Sequence, residues 1–321
     1  MKFLFIFFTF LSTKIFAQTQ FDIVTKDKSL YLQSKDCKIL QNEVQAITAW
    51  TKRLGGPVEP PKCQCHGILN WKLCEVNVDH ALPKMMSERA NKGSFFDGPN
   101  CWNASMVSAK LSSYLRYTSD KEINFWLNSP LCKEREQNES PQAGDIIAIR
   151  ERAASNNVQE VHAFIHISND LSFSKNGFYS TQSYSLMPPN DVFSKYKVTE
   201  NCKIQASETN KDDCQRWASY YSCHSMEDYL KEHPITNDEL SQSQKSLEQI
   251  ECNLSDIAFH GGEINSIRWT VIPSIQIIKF LAKEKSLDDR LSEDERFIWK
   301  GIYFKADSLV TQGNLILGRD F

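Results

Sequence analysis

The sequence predicts an α+β protein: a helix packed on a small antiparallel sheet, flanked by a cysteine-containing N-terminal region and a mostly helical C-terminal region. Three observations predict it. Gly98-Pro99-Asn100 precedes a segment whose Trp102, Met106, Leu111 and Leu115 fall near one helical face, which marks a helix start beside Cys101. Short apolar or alternating runs at 146–149, 161–167 and 171–177, separated by turn residues, read as strands. Beyond Asn201 the pattern becomes polar with helical spacing.

Along the chain, Met1-Lys2, the apolar run Phe3 to Leu11 and Ala17 match a signal peptide over 1–17. The run is half the roughly 20 residues a membrane span needs, so export to the periplasm or the medium is expected, with no stable membrane insertion. Residues 18–94 form a loosely patterned disulfide-containing region with one helix over Leu40–Leu54, stopped at Gly55-Gly56-Pro57. Residues 95–200 hold the core. Residues 201–321 are predicted as helices over 212–231, 238–257 and 293–309, with starts at Thr236-Asn237 and a Ser292/Glu295 capping box. The apolar stretch Ser266–Leu281, interrupted by Pro273, predicts no definite element.

Composition narrows the function. The 321 residues are 41% hydrophobic and 24% charged with a net charge of −3, an ordinary globular balance. That charge gives no electrostatic reason to bind nucleic acid or an anionic bilayer. The ten cysteines are expected to be disulfides in an exported chain. Cys37, Cys63, Cys65 and Cys74 can pair among themselves, as can Cys202, Cys214, Cys223 and Cys252, leaving Cys101 and Cys132. A zinc site at Cys63-Gln64-Cys65-His66 with Cys74 and His80 is the less favoured reading, because Cys-x-Cys is tight for one tetrahedral metal. No cofactor is expected.

The chemistry concentrates in the centre. In a first helical turn, exposed N–H groups and the helix dipole favour a thiolate at Cys101. Val161-His162-Ala163-Phe164-Ile165-His166-Ile167 and Leu171-Ser172-Phe173-Ser174-Lys175-Asn176 form a hairpin. A three-residue loop, Ser168 to Asp170, pairs Ile167 with Leu171 and Ile165 with Phe173, keeping apolar residues on one face. That register sets Asn176 opposite His162 and Ser174 on its diagonal. A thiol, a histidine and a polar orienter are what thiol acyl transfer requires: His162 takes the proton from Cys101, and Asn176 or Ser174 holds the ring. His166 shares the face and is the alternative base.

These residues, in the order Cys101, Ala143-Gly144-Asp145-Ile146 and Val161-His162-Ala163-Phe164-Ile165, resemble the NlpC-type, papain-like cysteine peptidases over about residues 95–196. The amidase branch of that superfamily is similar as well. The resemblance implies a papain-like core, catalysis by Cys101 and His162, and peptidoglycan peptides as substrate. Its third catalytic position aligns with Ser174, whereas hydrogen-bonding capacity favours Asn176. The expected function is an exported thiol hydrolase of amide bonds. The alternative is a catalytically silent module that binds a cell-envelope partner.

Overall fold

The computed structural model describes residues 20–318 except 28, 57–58, 69–70, 137–138, 154–157, 204–213 and 235. The signal peptide expected over 1–17 therefore lies outside the described residues. Helices and antiparallel sheets together make an α+β fold.

The first layer is a four-stranded sheet of order β1-β2-β4-β3, from β1 (Asp22–Lys26), β2 (Ser29–Ser34), β3 (Gln64–Ile68) and β4 (Trp71–Asn77). Helix α1 (Cys37–Arg53) covers it with Leu40, Val44, Ile47 and Trp50, all buried, one face at helical spacing. Asp36 caps α1 by accepting from the Lys38 N–H at 2.9 Å. Disulfides Cys37–Cys63 and Cys65–Cys74 fasten the region. Both agree with pairing inside the N-terminal group. Helix α2 (Lys84–Arg89) follows.

The second sheet carries the centre of the protein. Its order is β5-β10-β6-β7-β8-β9, from β5 (Cys132–Glu134), β6 (Ile146–Arg152), β7 (Val158–His166), β8 (Ser172–Lys175), β9 (Tyr184–Met187) and β10 (Arg216–Cys223). Every neighbouring pair is antiparallel. The β7–β8 hairpin has the register that alternation selects: Ile165 faces Phe173, and the Ile167 N–H donates to Leu171 O at 3.0 Å. At the turn into β6, Gly144 has φ +90°. A Cβ there would strike Trp50 and Arg53, so the turn needs glycine.

Two cores flank this sheet. On one face Ala148, Ala163, Ile165 and Phe173 meet Ala104 and Met106 of α3 (Cys101–Ser108) and Ile123 of α4 (Asp120–Leu127). On the other, Ile147, Ile149, Phe164 and Trp217 meet Val192 and Phe193 of α5 (Pro189–Lys195) and Cys202 of α6 (Glu200–Lys203).

The helix expected over 212–231 is corrected. Residues 216–223 form β10, an interior strand of the sheet between the edge strand β5 and β6. Trp217, Tyr220 and Tyr221 suit a pleated, half-buried surface, and tertiary pairing overrides the helical spacing. Among the described residues there, only Met226–Glu232 is helical, as α7. The same strand corrects the cysteine partition: Cys132 lies directly opposite Cys223 and is bonded to it. With Cys202–Cys214 formed, the free cysteines are Cys101 and Cys252. Four disulfides fit an oxidising compartment. No helix among the described residues is long and apolar enough to cross a membrane.

The C-terminal helices are α8 (Asp238–His260), α9 (Ile272–Lys285) and α10 (Glu293–Ile316). Asn237 caps α8, and the Ser292/Glu295 capping box is formed on α10. The apolar stretch around Pro273 is helical. Pro273 falls in the first turn of α9, where a missing N–H costs little, behind a π-helical turn over Ile267–Val271. A buried ionic cluster joins this bundle to the core. The Arg116 guanidinium meets Glu122 of α4 at 2.7 Å and Glu251 of α8 at 2.6 Å, and Lys305 of α10 meets Glu251 at 2.8 Å.

Candidate active site

Cys101 is the first residue of α3, as its sequence context predicts. Asn100 has extended backbone and accepts from the Asn103 N–H at 3.1 Å, while its own Nδ2 donates to Thr118 O at 2.6 Å. Both ends of the capping amide are thus used, which fixes where the helix begins.

The thiol meets the sheet where it opens. Even-numbered residues at the end of β7 direct their backbone groups to β6, as when the His166 N–H donates to Asp145 O at 2.9 Å. Odd-numbered ones face β8. The β7–β8 ladder contains only the Ile165–Phe173 and His166–Ser172 pairs. Beyond it the Ala163 amide, together with those of Trp102 and Cys101, acts on the Cys101 sulfur. Burial outweighs these donors and the nearby Lys175 ammonium, and pushes the thiol up to about 11.

His162 spans the same opening from the other face. Its Nε2 lies 2.9 Å from Ser174 Oγ, and its ring stacks on Tyr196 with centroids 4.1 Å apart. Nδ1 has no hydrogen-bond partner, so no hydrogen bond joins imidazole and thiol. This corrects the expectation of a direct Cys101–His162 bond: alternation along β7 puts His162 with Phe164 under α5, while α3 covers the Ala163 face. Burial, then Lys195, lowers the imidazole to about 3, so the ring is neutral at neutral pH.

Between the two candidate orienters the geometry selects Ser174. The Asn176 side-chain oxygen is buried without a partner, and β8 ends at Lys175 before Asn176 can join the ladder. Chemistry favoured Asn176; the early end of the strand removes it. His166 is buried beside Asp145 and Arg135, and burial lowers it to about 4. Asp145 itself is held by Arg135 and by the Gln142 N–H at 2.6 Å, which makes this end of β7 a structural ion-pair site.

The site is closed. Cys101 is 6% exposed and His162 fully buried. The segment after β8 is tied over the entry to α3: the Gly98 N–H donates to Phe178 O at 2.8 Å, and the Ser180 N–H to Asp97 Oδ1 at 2.6 Å. A cleft of about 640 Å³ lined by Lys110, Trp126, Met226 and Lys305 opens at the other end of α3. Lys175 and the Arg116 cluster are the buried groups that sequence reasoning missed. A lysine inside an alternating strand was the available signal for the first.

Buried neutral imidazoles make a pH prediction. The folded values of His162 and His166 lie below the ordinary 6.5, so the unfolded chain takes up protons first. Stability is full above about pH 6.5 and falls as pH drops toward 4. Between pH 7 and pH 5 urea unfolding should lose ~2 kcal/mol per ring. His166→Gln should halve that loss, and a pH-independent stability over this range would contradict the neutral burial.

The chain matches no protein-family model, and no curated protein or solved structure is significantly similar to it.

Proposed function

We propose that the protein is an exported thiol hydrolase that cleaves amide bonds in peptides, with peptidoglycan peptides as the expected substrate class, on a papain-like core. The observation that carries this reading is the position of Cys101 at the capped start of α3, where its sulfur meets the Ala163 amide of the strand whose other face carries His162, held by Ser174.

In this reading Sγ attacks the scissile carbonyl, and the Cys101 N–H at the helix start stabilises the oxyanion. His162 Nδ1, the nitrogen that Ser174 leaves free, relays to the leaving amine the proton that Sγ gives up on attack. Water then hydrolyses the thioester. Opening of the segment tied down at Phe178 and Ser180 admits the substrate. Ser174 fixes the imidazole, so Ser174→Ala should reduce turnover by about 10- to 100-fold. Asn176→Ala should stay within about threefold, because its oxygen engages nothing in the site. Equal losses in steady-state assays of the two variants would contradict the assignment.

The test is digestion of purified peptidoglycan by the mature protein, with released fragments identified by mass. Amide-cleavage products are expected from the wild type and none from Cys101→Ala. A second reading rests on one observation: thiol and imidazole are both buried and neutral without a bond between them. A silent binding module would co-sediment with peptidoglycan and release nothing.

A further inference from the structure

We propose that Lys175 is the cationic partner of the Cys101 thiolate, a positioning residue that supplies the charge His162 does not. The proposal rests on reading Cys101 as the nucleophile.

His162 is committed elsewhere. Its Nε2 is used by Ser174, its ring lies flat against Tyr196, and its Nδ1 has no partner. A resting imidazolium is therefore not the origin of thiolate stability. Lys175 follows Ser174 by one residue, so on the pleated strand its side chain takes the opposite face, the one that α3 covers. It is fully buried. Its Nζ donates to Gly177 O at 3.1 Å and Tyr179 O at 3.0 Å. An ammonium has three N–H donors; two are taken by carbonyls, and the third has no hydrogen-bonded acceptor among the described residues.

The groups facing this ammonium are few. They are Cys101 from α3, Asp97 from the segment before it, and the Tyr184 ring of β9, whose centroid lies 5.6 Å from Nζ. Asp97 is already engaged by the Ser180 N–H. Around the thiol itself the phenols of Tyr117, Tyr184 and Tyr196 are uncharged, and burial keeps each of them so. Among the described residues, Lys175 is thus the cation that acts on Cys101. A buried charge is costly unless it is paired or hydrogen-bonded, and the sulfur completes the shell that two carbonyls leave open at the moment it ionises. Burial pulls the lysine down to about 8, so near neutral pH it still carries its proton.

The same two carbonyl bonds would also serve a purely structural lysine that pins the 177–179 turn. Thiol reactivity separates the two roles. In a Cys252→Ser chain with its disulfides intact, the rate of Cys101 alkylation by iodoacetamide is followed by mass from pH 5 to 10. Lys175→Met should move the profile up by at least one pH unit and slow labelling at pH 7 at least tenfold. Lys175→Arg, which keeps the charge, should restore part of the rate, and His162→Ala should stay within threefold. An unchanged profile in Lys175→Met, or a shift carried by His162→Ala, overturns the proposal. Should Lys175→Met fail to fold, Lys175→Gln, which keeps an N–H donor for the two carbonyls and drops the charge, takes its place: the same tenfold slowing at pH 7 is expected, and an unchanged rate overturns the proposal. Alkylation needs no substrate. A chain that shows the shift but cleaves nothing refutes the hydrolase reading alone, and one that cleaves without the shift refutes Lys175 alone.

Discussion

Arg116→Met is expected to destabilise the protein by about 3–5 kcal/mol, as breaking a buried ion pair from one side typically does. The guanidinium is fully buried and donates to Glu122 at 2.7 and 2.8 Å, to Glu251 at 2.6 Å and to Thr118 Oγ1 at 2.8 Å. Among the described residues, its removal leaves Glu122 with no cation and Glu251 with Lys305 alone. The charges of Arg116, Lys305, Glu122 and Glu251 cancel in the native protein, and the two acids in question come from α4 and α8. Methionine matches the length of the stem but none of the donors. Arg116 also anchors α3, because its own backbone N–H donates to Asn103 Oδ1 at 2.7 Å. Urea unfolding at pH 7 measures the loss, and a change below about 1 kcal/mol would show that the cluster contributes no net stability. The Glu251 carboxyl, held down at about 2 by Lys305 and Arg116 against its burial, adds stability above its ordinary value of 4.5. That part is lost as pH falls toward 2.

Cys101→Ala should abolish amide hydrolysis, and His162→Ala should lower turnover by about 10³-fold or more. The nucleophile and the proton donor to the leaving group serve one reaction path, so their losses do not add. The double variant should resemble the worse single one. Cys101→Ala removes a single buried sulfur that behaves as a small apolar group, so thermal unfolding of Cys101→Ala should stay close to wild type. A double variant much slower than either single one would mean that His162 acts in a step that does not involve the thiol.

The sequence made the local elements legible and the long-range ones less so. Asn100, Asn237 and Ser292 identify helix starts because capping is a contact between residues two or three apart. The β7–β8 register follows from the alternation of Ile165, Ile167, Leu171 and Phe173, since one slip would expose them all. By contrast β10 is created by partners about 70 and 90 residues away, Ile149 and Cys132. Its own Trp217, Tyr220 and Tyr221 fit a helix face as well as a pleated strand. Missing that strand left Cys132 without its partner. At the site, Ser174 and Asn176 differ only in where β8 ends, which depends on the splay of two strands. Arg116 and Glu251 are 135 residues apart, and nothing local signals that they meet.

The measurement that bears most directly on the central claim, Cys101 as a nucleophile, is intact-protein mass after acid quench during turnover of peptidoglycan peptides. The account predicts an adduct equal to the acyl part of the cleaved peptide. It should map to Cys101, be released by hydroxylamine as a thioester is, and be absent from Cys101→Ala. Fragment release that proceeds with no adduct on Cys101, and continues undiminished in Cys101→Ala, would contradict it.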